Sequence, residues 1–369
     1  MSPDEGARVA VTSTLPPEPP SVQASPPVRK PLTGRQRRNS EYTGRDRVVR
    51  NILGLFALLP TLALTFLAYE LFKQAYPSIV FNGWHFFSGN VFSFGSQYST
   101  ASPVIHHGYA APHGAQYGIA PLIFGTLVSS LIALVFAVPI SVGGAILLVE
   151  RLPRRLQDPL GIFLELLAGI PSVIFGLWGV YAFGPFVSKH VYRYIADLGI
   201  PGLRGNVGSG QGLLTSSLVL AVMIIPIVAA TTRELIRSVP ELTKEGAVAL
   251  GLTPSESVRL VTIPFVRTGI VAATFLGWGR ALGETIAVLL ISGNFLNSYP
   301  KSIFAPFSTM AATIAALLDG ALNDSTKMGV HALAELGLVL LAVTLITNFA
   351  GRLIAGRFGG GALPVGRGI

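Results

Sequence analysis

Half of the 369 residues are hydrophobic and only 12% are charged, with a mean hydropathy of +0.58. Soluble domains carry about 25% charged residues, so the composition describes a membrane protein, and the net charge of +9 must be read by position before it suggests nucleic acid. There is no cysteine, which excludes disulfides, thiolate metal sites and cysteine nucleophiles.

Residues 1–48 lack the apolar core of a signal peptide. They are rich in Pro, Ser and Arg and include PPEPPSVQASPP, the composition of a disordered, basic cytoplasmic arm. Eight basic residues between Arg29 and Arg50 suit either contact with anionic lipid or ordinary control of topology. A bilayer core of roughly 30 Å takes about 20 apolar helical residues. Six stretches meet that length, at about 51–72, 119–149, 160–187, 213–232, 268–293 and 328–351, within a membrane domain of 49–356. The third holds Glu165 and the sequence AGIPS, so Glu165 and Pro171 flank an expected break. A proline inside a span is tolerated where neighbouring helices satisfy the freed carbonyl. Glu335 stands near the outer end of the sixth, before a Gly-rich tail at 357–369.

The connections follow from charge. The stretch 74–118 has no Lys, Arg, Asp or Glu and is aromatic and Gly-rich, which predicts an ordered outer loop; 189–211 is a second. Residues 302–318 are uncharged but short and contain Pro306, and are expected to form a short amphipathic or re-entrant helix on the outer side. With six spans and the first residue inside, 20 Lys and Arg fall inside, six outside, and Arg280 within the membrane, as the excess of basic residues in cytoplasmic loops requires. The expected fold is an all-α membrane protein with six transmembrane helices and both termini cytoplasmic. A cytoplasmic helix-turn-helix segment at 233–267 links its fourth and fifth spans.

That segment has regular local chemistry. Thr243 can cap a helix from Lys244, and Thr253-Pro254 opens another in the favoured cap-then-proline order. Gly251 lies between them, where a helix end wants positive φ, and Pro264 is expected to close the second helix before the next span. Long ordered loops of this kind are commonly functional, although a plain solvated connection is the simpler reading. Glu245, Ala247, Gly251 and Pro264 resemble the EAA loop of ABC importer permeases, with Gly246 where that family usually has Ala. The resemblance implies a coupling helix seated in a groove of a cytoplasmic ATPase. GRALGETIAVLLISGN from Gly279, with ELLAGIPSVIFGLWG from Glu165, resembles PstC-type phosphate permease subunits over residues 119–351. The form GRALGETIAV favours PstC over the sister PstA type.

Arg280 and Glu284 sit inside the fifth expected span. A mid-membrane arginine costs at least about 2.5–3.5 kcal/mol, so it must be paired or face a wet cavity. Four residues apart on one helix, the two are expected within pairing reach; a structural ion pair is the plainer reading. The sharper one puts Arg280 and Glu284 on the substrate path, the Arg280 guanidinium offered to phosphate; Glu165 is expected to be a satisfied buried carboxylate near that path. Gly279 and Gly283, spaced small-xxx-small, are expected to pack helices closely, and Pro171 to shape packing at the third span.

His85, His106, His107 and His113 lack an accompanying carboxylate or thiol in their loop, so a surface for a binding protein, or a plain loop, is expected there rather than a metal. No G-x-x-x-x-G-K-[ST] occurs, so ATP and magnesium belong to another chain and this one is expected to be no enzyme and to hold no cofactor. The resemblance implies a PstA-type permease partner, a PstB-type ATPase dimer and an extracytoplasmic phosphate-binding protein, in a bacterial cytoplasmic membrane, with lipid but no nucleic acid bound. The alternatives are the same architecture carrying sulfate or molybdate, or a secondary transporter driven by an ion gradient, which the ATPase-type loop argues against.

Overall fold

The computed structural model describes residues 44–96, 102–200 and 202–358. Most of the 1–48 arm and the tail beyond Phe358 lie outside the described residues. The principal helices are α1 Gly44–Asn82, α2 Ala120–Ile146, α3 Arg154–Ala168, α4 Ser172–Trp178, α5 Leu213–Arg237 and α6 Glu241–Ala249. They continue with α7 Pro254–Ser257, α8 Ile263–Leu282, α9 Ile286–Ile291, α10 Met310–Leu322 and α11 Met328–Phe358. Five continuous helical stretches are long and apolar enough to cross a bilayer: Val49–Asn82, Ala120–Arg151, Leu213–Arg237, Pro254–Leu282 and Met328–Arg357. A sixth candidate is a pair, Arg154–Ala168 and Ser172–Asp197, bent by 88°. The protein is a multi-pass membrane protein, almost wholly α-helical.

Up to Ala63 the chain forms one compact unit and from Leu64 a second. α1 is exposed from Val49 to Ala63. Within the second unit, α2 and α5 pack through Ala133, Ala137, Leu220, Ala221, Ile224 and Val228; small side chains let membrane helices approach closely. Both helices contain a proline, Pro139 and Pro226, and Ser141 Oγ donates to the Ile225 carbonyl at 3.1 Å. The remainder of α1 is tied to α11, where the His331 ring approaches the Gln74 carbonyl at 2.7 Å and the buried Glu335 is hydrogen-bonded by Ser78 and Asn82.

Several boundaries differ from those read in the sequence. α1 runs on to Asn82 rather than stopping near 72, because the polar residues after Lys73 are followed by further helix-compatible apolar ones. The third stretch is not one helix over 160–187: it turns sharply between Ala168 and Ser172, since Pro171 in extended geometry cannot continue α3. The fifth does not reach 293 as one helix either, but ends at Leu282 and resumes at Ile286. Its beginning is earlier than expected, because α7 passes through a π-helical turn, Val258–Thr262, directly into α8. Pro264 therefore lies within a continuous helix instead of closing one, at the point where the π turn relaxes the hydrogen-bond ladder.

The expected helix at 302–318 is displaced to Met310–Leu322, where Thr309 caps it by accepting from the Ala312 amide. Its 13 residues span about 20 Å, too short to cross. Residues 292–309 are irregular yet contain the buried Phe307, Ser308 and Thr309. Their backbone is satisfied by Phe307 N–H to Ser292 O at 3.0 Å, Phe295 N–H to Phe307 O at 3.1 Å and Leu213 N–H to Ala305 O at 3.1 Å. Non-helical backbone at such depth survives only when protein covers it. The 74–118 region folds into two antiparallel ribbons, β1 Phe92–Ser93 with β4 Gln116–Tyr117 and β2 Val104–His106 with β3 Tyr109–Ala111. Phe86, Phe92 and Tyr117 pack there with Leu122, Met310 and Leu336. No cluster of His, Cys, Asp or Glu among the described residues could hold a metal.

Candidate functional site

The first candidate surface is the turn between α6 and α7. α6 begins at Glu241 behind Pro240, one turn earlier than a Thr243 cap would place it; Thr243 lies inside the first turn. The helix ends with Gly251 at φ +83°, and Leu252 N–H reaches back to Ala247 O at 3.2 Å, the bond that a left-handed glycine allows at a helix terminus. Thr253 then forms a full capping box with Glu256, which satisfies donors at both ends of that first turn. Lys244 Nζ donates to Glu150 at 2.6 Å and Arg151 to Ser255 Oγ at 2.8 Å, so the end of the α2 stretch holds both short helices. Ala247 is buried, whereas Glu245, Gly251, Leu242, Val248 and Leu250 are exposed, Leu242 and Leu250 at 81% and 85%. A rigid turn bearing exposed leucines is suited to docking on another protein.

The second candidate lies where the fifth span is interrupted. Arg280 occupies the last turn of α8 and is exposed; Glu284 follows the break and is half-buried. Among the described residues the two make no ion pair, contrary to the expectation from their spacing. Four residues make a pair only on a continuous helix, and Gly283 ends this one. Each charge instead matches a helix end: Arg280 the negative terminus of α8, and Glu284 the first amides of α9, accepting from Ala287 N–H at 3.4 Å. Both still line one shallow hollow, with Leu220, Met223 and Ile224 of α5.

The expected glycine packing is divided. A side chain at Gly279 would press on Asn348 of α11, but one at Gly283 would meet only the helix's own carbonyls. Among the glycines packed tightly against neighbouring helices are Gly176 and Gly179, which face Ala287 and Ile291 of α9. Pro171 is exposed at the bend and precedes α4, so it turns the chain rather than packing it.

Glu165 belongs to a constellation that the sequence did not reveal. It is exposed, not buried, and its carboxylate lies 3.5 Å from Nη2 of Arg233. Arg233, only 7% exposed, also contacts Glu234 at 3.1 Å, and Arg237 reaches Asp158 at 3.1 Å. Gly161 makes room: a methyl group there would overlap the Arg233 guanidinium. Nη1 of Arg233 has no partner. Arg233 thus fastens α3, the first limb of the bent pair, to α5. In the sequence it reads as one loop cation among several, and only the GxxxE spacing of Gly161 and Glu165 hints otherwise.

A membrane domain with an interrupted charged span and a rigid turn between two short helices defines the class. Residues 137–359 match the family of binding-protein-dependent transport system inner membrane components, and the chain belongs to that family. Its relatives place it with the PstC permeases. It is 51% identical over 87% of its length, and 96% of the relative's, to phosphate transport system permease protein PstC 1 of Mycobacterium tuberculosis. It is 43% identical to PstC of Haemophilus influenzae over 67% of this chain and 78% of that one. Among solved structures, the inward-facing MetNI methionine ABC transporter is similar at TM-score 0.44 and 20% identity, over 64% of this chain and 91% of that one.

Proposed function

We propose that this chain pairs with a PstA-type permease on a PstB-type ATPase dimer and receives phosphate from an extracytoplasmic binding protein, in a bacterial cytoplasmic membrane. The chain is itself the permease subunit of a phosphate ABC importer; it is not an enzyme, and ATP hydrolysis belongs to a separate chain. The observation that carries the reading is its 51% identity to a PstC permease along 87% of its length. Phosphate, delivered on its binding protein, should stimulate ATP hydrolysis by the assembled complex, whereas sulfate and molybdate should not. Stimulation by sulfate or molybdate alone would replace the cargo and keep the architecture.

Glu245, Ala247, Gly251 and the helix entering through Pro264 form the ATPase contact in this reading. The exposed leucines of α6 and the fixed turn at Gly251 support it. Gly251→Val should then lower uptake at least several-fold while leaving complex yield close to normal. Nothing lies within 4 Å of a side chain at Gly251, so the harm comes from backbone geometry, about 1–2 kcal/mol for a left-handed residue with a Cβ. Normal uptake by well-expressed Gly251→Val protein would remove the coupling assignment.

The same reading places both termini and the 233–267 segment in the cytoplasm. Because the chain has no cysteine, single cysteines report sidedness cleanly. Exposed Ser209 and Ser255 are suitable sites: Ser209→Cys should react with an impermeant thiol reagent in intact cells, and Ser255→Cys only after the membrane is opened. Labelling of both from outside would invert the arrangement.

A further inference from the structure

Across the face of α8, between α5 and α11, runs a groove of about 740 Å³. Gly269, Ala272 and Ala273 of α8 form a smooth floor, and Leu235 of α5 and Leu345 of α11 stand in the walls. α5 contributes its last two turns and α11 its last four, at the end that adjoins the 233–267 segment, and α8 its second to fourth turns. Arg352 lines the groove at that end. Arg267, two residues before Gly269, and Arg357, in the final turn of α11, stand on other faces of their helices and do not line it.

These three arginines are exposed, and none has an ion pair or hydrogen bond among the described residues. Of the basic residues around the 233–267 segment, Arg154, Arg233, Arg237 and Lys244 each meet a carboxylate, whereas Arg155 and Arg259 meet none among the described residues. α8 contains no Asp or Glu, and none follows Glu335 anywhere in the chain. An apolar trench that ends in an uncompensated cation, Arg352, matches a molecule with a long alkyl chain and an anionic head. A protein helix in the trench would leave that charge unanswered unless it brought an acid of its own.

We propose that the groove seats an acyl chain of an anionic phospholipid, with the lipid phosphate held by Arg352. The lipid belongs to the leaflet on the side of the coupling segment, where anionic headgroups attract basic residues; that side assignment rests on the topology proposed above. The lipid fills the space over α8 and ties α5 to α11 at the end where the ATPase would act.

The test uses the complete transporter, purified in mild detergent, stripped of lipid and given equal phosphatidylglycerol and phosphatidylcholine, with bound lipid counted by native mass spectrometry. The parent should retain phosphatidylglycerol in preference. Arg352→Gln should reduce that preference about five-fold, the worth of one basic residue near a charged surface. Ala272→Trp, which fills the floor, should remove one bound lipid while the complex stays assembled. Millimolar inorganic phosphate should not displace the lipid. Equal retention of both lipids by the parent, unchanged counts in both variants, or displacement by phosphate would overturn the proposal. Dissociation of the complex by Ala272→Trp would assign the groove to a protein neighbour instead and overturn it equally. Phosphate-stimulated ATP hydrolysis, measured alongside, tests the transport reading separately: its absence in the parent would not alter the lipid count.

Discussion

Arg280→Gln should reduce phosphate uptake about ten- to a hundred-fold, the worth of a charge-assisted hydrogen bond of about 1.5–3 kcal/mol, while complex yield and melting temperature stay at parental values. The distinction comes from geometry. Had Arg280 and Glu284 formed a buried pair, removing one would leave an uncompensated charge and cost about 3–5 kcal/mol of stability. They form no such pair, and Arg280 is exposed at the end of α8. Its loss therefore strands no carboxylate; we propose that Arg280 offers its positive charge to the passing anion, and only that charge disappears. Glu284→Gln should keep part of the uptake, because glutamine can still accept from the α9 amides and Arg280 remains. Parallel loss of uptake and assembly in Arg280→Gln would make this residue scaffolding. Full uptake would move the path elsewhere, first towards Glu165 and Pro171.

The second large effect is asymmetric. At the α3–α5 contact the Arg233 side chain is 9% exposed, whereas those of Glu165 and Glu234 are 60% and 63% exposed. Removing the two carboxylates, as Glu165→Gln with Glu234→Gln, leaves a buried guanidinium without a counter-charge. The cost should approach the roughly 3 kcal/mol of a broken buried pair, somewhat reduced because water reaches the carboxylate side. Arg233→Met removes the buried charge and keeps much of the packing, while the freed carboxylates remain hydrated, so it should destabilise markedly less. Thermal unfolding of the purified complex checks the order. Arg233→Met proving the more damaging change would show that the contact is a hydrated surface network rather than a buried cation.

The span count was legible in the sequence because hydrophobic length is a property of contiguous residues. Each of the six apolar stretches corresponds to a long helix or to the bent pair. The Gly251 turn and the Thr253-Pro254 start were legible for the same reason, since positive φ and a cap involve only residues within a few positions. The EAA spacing and the GRALGETIAV stretch carried the family without any coordinates.

Tertiary structure alone decided the rest. Whether Arg280 and Glu284 share a helical face depends on where the helix stops. α9 is set apart from α8 by its seating against Gly176 and Gly179, more than a hundred residues earlier in the chain. Arg233 became more than a loop cation because a bend at Pro171 and a missing side chain at Gly161 let α3 close over it. Irregular residues 292–309 sit inside because distant α2 and α5 offer Gly125 and the Leu213 amide to meet them. Local sequence sets how far a segment can run as membrane helix. Which polar groups meet is set by the packing of segments remote in the chain, because in a bilayer every buried donor, acceptor and charge must find its partner within the protein.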